Sequence, residues 1–293
     1  MKTYKIFRRI IKTCGCLILF TALTSCNTAG QTTLLWKNDS IAYNPESIVY
    51  YKTGNCCYVS NFGQNPGDGM PYNQNYVTKF NLKGEVLDRK AVPNLTAPTG
   101  LCIFNDNLYI VERFGIVKFD LRNNRESTRY RIKTTNFLND VAIDPDGNIY
   151  VTVSDTDIIY RIKDSKVEKW FESMEIMNPN GIMCEGDKII IGVCSDNTLK
   201  SVAIANKELK TVAVAGKGIE VIDGLKKYGD DYLISHYKGT ILRIRSDGRV
   251  TKVLDTSKKG IYCADFEFIE DRLLFIIPSL KNNLVSVYKY TPD

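Results

Sequence analysis

Short apolar or alternating runs, separated by turn residues, follow one another along nearly the whole chain. The first examples are the paired segments CCYVSN and YVTKFNL, NLYIVER and GIVKFDL, and NIYVTVS and IIYRIK. The same pairing continues in KIIIGVC and TLKSVAI, YLISHY and TILRIR, and LLFIIP and LVSVYKY. Runs of this length, rich in β-branched and aromatic residues and bounded by Gly, Asp or Asn, are typical of β-strands. The pattern therefore predicts an all-β protein with no helix longer than a turn or two.

One unit of this pattern recurs six times: an apolar strand, a tight turn, a β-branched and aromatic strand, a polar loop and a third strand. The turns lie near Gly54, Asp106, Gly147, Gly186, Gly229 and Asp271. Their spacing of roughly 40 to 50 residues matches propeller blades of four strands. Fourth strands follow in five repeats, as EVLDRKAV, RESTRYRI, KVEKWFE, ELKTVAV and RVTKVLD. The sequence thus predicts a six-bladed β-propeller that forms one domain over residues 33–293.

The sixth repeat ends after its third strand, at Tyr290, and lacks a fourth. A suitable strand stands at the other end of this domain, at residues 33–37, with the sequence TLLWK. Pairing of this strand with LVSVYKY would close the ring and cover an exposed sheet edge. We therefore expect the N-terminal strand to complete the last blade.

The first 25 residues have the pattern of a secretory leader. They carry Lys2, Lys5, Arg8, Arg9 and Lys12 without an acidic residue, and then an apolar stretch. That stretch is shorter than the roughly 20 residues that span a bilayer.

The leader ends in Leu-Thr-Ser-Cys at Cys26, which resembles the lipobox of bacterial lipoproteins. An ordinary signal peptide with a chance cysteine, or a short membrane anchor, are the alternatives. We expect a signal peptide over residues 1–25, a lipid on Cys26, a tether over residues 26–32 and a location in the bacterial cell envelope, on the periplasmic side or at the outer membrane.

Net charge argues against a nucleic-acid partner. The chain has a formal net charge of +6, of which the leader supplies most, so the exported part is close to neutral. No basic stripe interleaved with aromatic residues is present, which a nucleic-acid-binding surface would require. The expected partner is a small-molecule substrate, and the expected state is a monomer held at the membrane by the lipid.

The cysteines and the single histidine limit the metal chemistry that the chain can support. Beyond Cys26, the cysteines are Cys56, Cys57, Cys102, Cys184, Cys194 and Cys263. Export permits disulfides, but no CxxC pair occurs and most of these residues lie in apolar runs, which favours small buried side chains. A Cys/His zinc cluster cannot be built around one histidine, His236.

A polar residue stands at the start of the first strand in every repeat. These residues are Glu46, Thr99, Asn139, Asn180, Asp223 and Asp265. Because the first strand of each propeller blade lines the central channel, their side chains are expected to form a ring. Three acids with neutral oxygens are ligands suited to a hard divalent cation such as Ca²⁺. The alternative is ordinary turn chemistry, since Asn, Asp and Gly favour turns.

Residues 41–293 resemble the SMP-30/gluconolactonase propellers, which include strictosidine-synthase-like and phosphotriesterase relatives. The resemblance implies a metal, usually calcium, held by a glutamate early in the first blade, an Asn-Gly asparagine and an Asp-Gly aspartate. These match Glu46, Asn180 and Asp223. It also implies that Asn139, in Asn-Asp, lies beside the metal and contacts the metal or the substrate, and that Asp223 serves as general base. Asp265 is an addition that we expect near the ring but not on the metal.

The candidates for the substrate-binding rim of the channel are Thr99, Asp265, Arg113 and His236. His236 and Arg113 belong to segments that join second and third strands, which open on the same face as the ring, and His236 could transfer a proton. A structural role is the alternative for a lone histidine at a strand end. The longest insertion, residues 61–75, would form a lid over the site or a solvated tip.

The resemblance therefore implies a metal-dependent hydrolase of a sugar lactone or related small ester, with Asp223 and Asn139 as the expected catalytic residues. The alternative is a propeller that binds a ligand or protein without catalysis. The uncharged Thr99 at one of the ring positions favours this alternative. A carbon–oxygen lyase is a third option, and it would need His236 as its base.

Overall fold

A computed structural model describes residues 30–63, 75–134, 137–216 and 219–293. The predicted leader, the predicted lipidation site Cys26 and most of the predicted lid over residues 61–75 lie outside the described residues. Within the described residues the chain forms six antiparallel sheets of four strands each. This is the six-bladed propeller that the repeat predicts.

The strands of the first three blades are β2 (Pro45–Tyr51), β3 (Cys56–Asn61), β4 (Tyr76–Asn81) and β5 (Val86–Val92); β6 (Leu101–Phe104), β7 (Asn107–Glu112), β8 (Gly115–Asp120) and β9 (Arg125–Arg131); and β10 (Leu138–Ile143), β11 (Ile149–Val153), β12 (Ile158–Lys163) and β13 (Lys166–Glu172). Those of the last three blades are β14 (Pro179–Glu185), β15 (Lys188–Val193), β16 (Thr198–Ala203) and β17 (Leu209–Val214); β18 (Ile222–Tyr228), β19 (Asp231–His236), β20 (Thr240–Ile244) and β21 (Val250–Asp255); and β22 (Glu267–Ile269), β23 (Leu274–Ser279), β24 (Leu284–Thr291) and β1 (Gln31–Asn38). Short 3-10 helices occupy Met174–Ile176, Ser257–Lys259, Glu270–Arg272 and Leu280–Asn282.

The N-terminal strand closes the ring as predicted. β1 pairs antiparallel with β24, from Gln31 opposite Thr291 to Asn38 opposite Val285. It also reaches both neighbouring blades. The Trp36 indole N–H donates to the Leu82 carbonyl at 3.0 Å, and the Thr32 hydroxyl donates to the Val253 carbonyl at 3.0 Å. One strand therefore joins the first, fifth and sixth blades.

The hydrophobic core lies between the faces of neighbouring blades. Between the third and fourth blades, for example, Tyr150 and Trp170 pack edge to face with ring centroids 4.8 Å apart, against Ile189 and Ile191. The six described cysteines are free thiols, four of them buried. In the described part of the chain, no helix is long and apolar enough to cross a bilayer.

The two ends of the channel open on opposite faces. The cavity face is defined as the one on which the first strands begin and the second strands end. The far face is the one that carries the tight turns between first and second strands. β24 is the third strand of its blade, so it runs from the cavity face to the far face. Because β1 runs antiparallel to β24, Gln31 lies at the far face and Asn38 at the cavity face.

Candidate functional site

Five of the six predicted ring residues line one cavity at the cavity face. Its volume is about 290 Å³, and it is lined by Glu46, Phe62, Thr99, Phe137, Asn139, Asn180, Val221, Asp223, Tyr237, Ala264 and Leu280. We refer to it as the ring cavity. Glu46, Asn139, Asn180 and Asp223 come from four different blades, so the propeller closure brings together residues that are up to 177 positions apart in the sequence.

A β-bulge positions each of these four residues. The register of pairing between first and second strands shifts at Pro45/Ile48, Leu138/Val141, Pro179/Ile182 and Ile222/Leu225. At each shift the ring residue and its successor oppose a single residue of the second strand. A bulge bends its strand and redirects a side chain, which is how the oxygens of these residues come to face the channel.

Hydroxyl groups stabilise three of the bulges, and sequence reasoning did not find them. The residues opposite the bulges include Ser60, Thr152 and Ser235. Their oxygens accept the bulge N–H of Ser47 at 2.9 Å, Asp140 at 3.1 Å and Gly224 at 2.6 Å. The signal was present as a Ser or Thr near the end of the second strand, in CCYVSN, IYVTVS and YLISHY.

The glycine of the Asn-Gly motif is required by packing between blades. A Cβ at Gly181 would lie 2.3 Å from the Asp223 carbonyl oxygen, which is backbone and cannot move aside. Pro179, Asn180 and Gly181 belong to strand β14, so this motif is not a turn. The turn alternative considered for the sequence therefore does not apply at Asn180.

Two oxygens in the ring cavity lack a hydrogen-bond partner. Among the described residues, Glu46 Oε2 and Asn180 Oδ1 are buried and accept no hydrogen bond. The Asn139 side-chain amide donates to Ser154 Oγ at 2.8 Å, which leaves its carbonyl oxygen available. Buried polar atoms are normally satisfied, so unpartnered oxygens gathered in one cavity indicate room for a ligand that accepts their lone pairs.

The carboxyl groups of the ring cavity favour a positive ligand. Burial, together with the charges of Asp223, Asp265 and Asp140, raises the pKa of Glu46 well above its usual range. Burial and the charge of Asp265 raise the pKa of Asp223 to about 8. A bound cation would offset both effects, because an opposite charge at short range favours the ionised form.

The donor set fits a hard cation. Two carboxylates and two amide oxygens suit Ca²⁺, which takes oxygen ligands and leaves some positions to water. No cluster of three or more His, Cys, Asp or Glu side chains within the described residues is arranged for a metal. The fit therefore depends on the asparagine oxygens as much as on the acids.

The prediction that Asp265 borders the site needs correction by one residue. Ala264 lines the ring cavity, whereas Asp265 is 2 % exposed and lies beneath it. The Asp265 N–H donates to the Glu46 carbonyl at 3.0 Å, just as the Gly100 N–H donates to the Asn139 carbonyl. Because side chains alternate along a strand, a shift of one position points the carboxylate away from the cavity.

Asp265 belongs instead to the inside of the channel. Its carboxylate accepts the Ser47 hydroxyl at 2.5 Å and pairs with Lys226 at 3.1 Å. Lys226 in turn lines a wider funnel, of about 680 Å³, which opens on the far face.

His236 is also placed outside the ring cavity. It lies in a separate cavity of about 500 Å³, beside Ala215, Ile219 and Lys238. Its Nε2 accepts the Glu220 N–H at 3.2 Å, and burial lowers its pKa, so the ring is neutral and held as an acceptor. The next residue, Tyr237, lines the ring cavity instead.

Arg113 and Thr99 take different roles. Arg113 is exposed at the cavity face, between β7 and β8, and lies over the Phe114 ring at 5.8 Å, but it does not line the ring cavity. Thr99 lines the ring cavity, and its hydroxyl donates to the Leu138 carbonyl at 3.3 Å. That bond joins the second and third blades.

Comparison with known proteins gives matches in structure but not in sequence. No protein-family model matches the chain, and no curated protein matches it. A gluconolactonase from Xanthomonas campestris superposes with a TM-score of 0.66 at 16% identity, over 89% of this chain and 90% of that one. Regucalcin from Agrobacterium tumefaciens, described as a calcium-binding protein, gives 0.66 at 13% identity, over 87% and 94%.

Lyases share the same architecture. A catalytically inactive histidine-to-alanine variant of virginiamycin B lyase from Staphylococcus aureus, solved with quinupristin, gives a TM-score of 0.63 at 12% identity, over 89% of this chain and 99% of that one. At such identities a likeness shows the fold alone. The chain has the six-bladed propeller fold that gluconolactonases, regucalcin and streptogramin B lyases share, and the resemblance expected from its sequence is confirmed at that level.

Proposed function

We propose that this protein is a metal-dependent hydrolase of small lactones or esters, with calcium as the expected metal. The observation that carries the proposal is the pair of unpartnered buried oxygens, Glu46 Oε2 and Asn180 Oδ1, in one cavity with Asn139 and Asp223. These four residues are the proposed metal ligands. The gluconolactonase and calcium-binding neighbours of the same fold support this proposal without deciding it.

A divalent cation in such a site polarises a carbonyl oxygen and makes a bound water more acidic. The residues of the chain orient the reactants around it. Asp223 is the candidate general base, whose ionised carboxylate would accept a proton from the attacking water, and Asn139, fixed by Ser154, presents its amide oxygen. Half-buried apolar groups at the mouth, such as Phe137 and Leu280, limit the access of bulk water.

Lyase chemistry is the weaker alternative for this chain. It would need a histidine base, and the single histidine lies in another cavity with its Nε2 already accepting a hydrogen bond. A binding propeller without catalysis remains an outcome that the experiment below distinguishes.

The test compares two substitutions in the soluble domain, by calorimetric calcium titration and by lactone hydrolysis. Asp223→Asn keeps an oxygen ligand but removes a charge and the proposed base, so turnover should fall by on the order of 10² or more. Glu46→Gln removes a ligand charge only, so its loss of activity should be partly restored by excess calcium. Glu220→Gln, an exposed acid outside the ring cavity, serves as the matched control.

Two results would contradict the proposal. Calcium binding that is the same in wild type, Asp223→Asn and Glu46→Gln would place the metal elsewhere. Calcium binding at the ring without hydrolysis of any lactone or ester would leave a binding propeller.

A further inference from the structure

The ring cavity has a polar floor and apolar walls. The floor is formed by Glu46, Thr99, Asn139, Asn180 and Asp223, and the walls by Phe62, Phe137, Val221, Tyr237, Ala264 and Leu280. Of the six wall residues, only Tyr237 carries a polar group on its side chain. In the proposed function the floor oxygens bind the cation, which in turn would hold the reacting carbonyl group of the substrate. The rest of the substrate would then contact the walls.

The aromatic walls are held in place by contacts with one another. Phe62 and Phe137 pack edge to face, with ring centroids 5.8 Å apart and planes at 73°. On the other side, the rings of Tyr237 and Tyr262 lie 5.1 Å apart. Phe62, Phe137, Val221, Tyr237 and Leu280 are only half-buried, so they keep apolar surface that a ligand could cover.

Charge in the ring cavity argues against an anionic ligand. Its described lining contains two acids, Glu46 and Asp223, and no lysine or arginine. Lys281 is not part of this lining, and its Nζ lies over the rings of Tyr237 and Tyr262 at 5.8 Å and 5.2 Å. A divalent cation would only neutralise the two acids, which leaves the described lining without a positive charge to attract a carboxylate or phosphate on the substrate.

Among the described wall residues, only the Tyr237 side chain could form a hydrogen bond with hydroxyl groups on a substrate. A polar group that is buried without a hydrogen bond lowers affinity by on the order of tenfold. A sugar lactone carries several hydroxyls, whereas an alkyl or aryl lactone would cover apolar surface instead. Resting on the proposed function, we propose that the substrate is an uncharged lactone or ester with an apolar body rather than a polyhydroxylated sugar lactone.

The test uses two six-membered lactones, δ-decalactone and D-glucono-δ-lactone, with calcium present. Their non-hydrolysable lactam analogues are titrated by calorimetry in parallel, so that ligand class is measured apart from activity. The alkyl lactam should bind on the order of 10² more tightly than the polyhydroxylated lactam, and kcat/KM should show the same preference.

Wall variants test whether the apolar residues cause this preference. Phe62→Asn and Phe137→Asn should weaken binding of the alkyl lactam by about tenfold and leave calcium affinity unchanged. Phe114→Asn is the matched control, because Phe114 is 48% exposed and outside the ring cavity.

The outcomes separate this proposal from the proposed function. If neither lactone is hydrolysed but the alkyl lactam binds preferentially, the hydrolase fails and the ligand class stands. Equal or tighter binding of the polyhydroxylated lactam, or binding of neither lactam, overturns the ligand class even where lactone hydrolysis is observed.

Discussion

At the scale of single residues, one hydroxyl group serves two neighbouring blades. Thr152 Oγ1 accepts the Asp140 N–H of its own blade at 3.1 Å and donates to the Asn180 carbonyl of the next blade at 2.8 Å. Asp140 adjoins Asn139 in the same bulge. The side chain of Thr152 therefore positions two proposed ligands without touching the ring cavity.

Replacing Thr152 by valine should preserve its shape and remove both hydrogen bonds. We expect the free energy of unfolding to fall by about 1–3 kcal/mol, because a buried N–H and a buried carbonyl lose their partner. Calcium affinity should fall as well. Urea unfolding and calorimetry measure the two effects, with the exposed Thr211→Val as control; normal calcium binding by Thr152→Val would show that this hydroxyl does not position the ligands.

Glu185 gives a prediction about pH. It accepts the Tyr232 hydroxyl at 2.7 Å and pairs with Lys227 at 2.5 Å and with Lys188 at 3.2 Å. Burial alone would raise its pKa, but these partners outweigh burial and lower it from 4.5 to about 2. The carboxylate therefore stabilises the contact between the fourth and fifth blades above pH 4.5, and this contribution is lost as the pH falls through about 2.

Glu185→Gln should accordingly lower the free energy of unfolding by about 1 kcal/mol at pH 7, a modest value because the pair is partly solvated. The difference from wild type should fall to less than half by pH 3. Denaturant unfolding at both pH values measures it, with the exposed Asp187→Asn of the same turn as control. A difference that does not change with pH would mean that packing, not charge, is responsible.

At the scale of secondary-structure elements, β1 carries the closure of the ring. Trp36 is half-buried against the first blade and donates a hydrogen bond to Leu82, whereas its neighbour Leu35 is 53% exposed. Trp36→Ala should lower the free energy of unfolding by roughly 2–3 kcal/mol, less than for a fully buried tryptophan. Leu35→Ala should change it by less than about 0.5 kcal/mol.

Deletion of β1 tests the same closure more severely. Without residues 30–38 the edge of β24 is exposed, and exposed edges pair with other chains. Size-exclusion chromatography should then show self-association at concentrations where the parent protein does not associate. A deletion variant as stable and as monodisperse as the parent would remove the closure argument.

Most strands could be predicted from the sequence, but the fine placement of the ring could not. Strand identity follows from local apolar alternation, which the six repeats show clearly. The bulges insert a residue into this alternation, so the contacts between blades are needed to tell which residues of a first strand face the cavity. The sequence pattern placed Asp265 in the ring, whereas the structure places Ala264 there. For the same reason, the strand end alone did not show that His236 and Tyr237 enter different cavities.

At the scale of the whole molecule, the propeller brings one residue from each of four blades to a single point. Glu46, Asn139, Asn180 and Asp223 depend on all the intervening blades for their mutual position. Loss of closure at β1 should therefore reduce calcium affinity as well as stability, although β1 contributes no side chain to the ring cavity.

The direction of β1 also determines how a membrane-bound form of the protein would be oriented relative to the bilayer. Gln31 lies at the far face, and only a few residues, at most about 15 Å of chain, separate described residue Gly30 from Cys26. If Cys26 is lipidated, as we propose, the bilayer lies against the far face and the ring cavity opens toward the aqueous compartment. Substrate would then arrive from solution rather than through the lipid.

Fluorophores attached at single sites would report this orientation in vesicles that contain a headgroup quencher. A label at Lys207, an exposed residue in a far-face turn, should be quenched strongly, and a label at Phe114, on the cavity face, only weakly. Cys26→Ser should leave both labels unquenched. Equal quenching at the two sites would mean that the protein lies on its side, with the mouth of the cavity at the lipid surface.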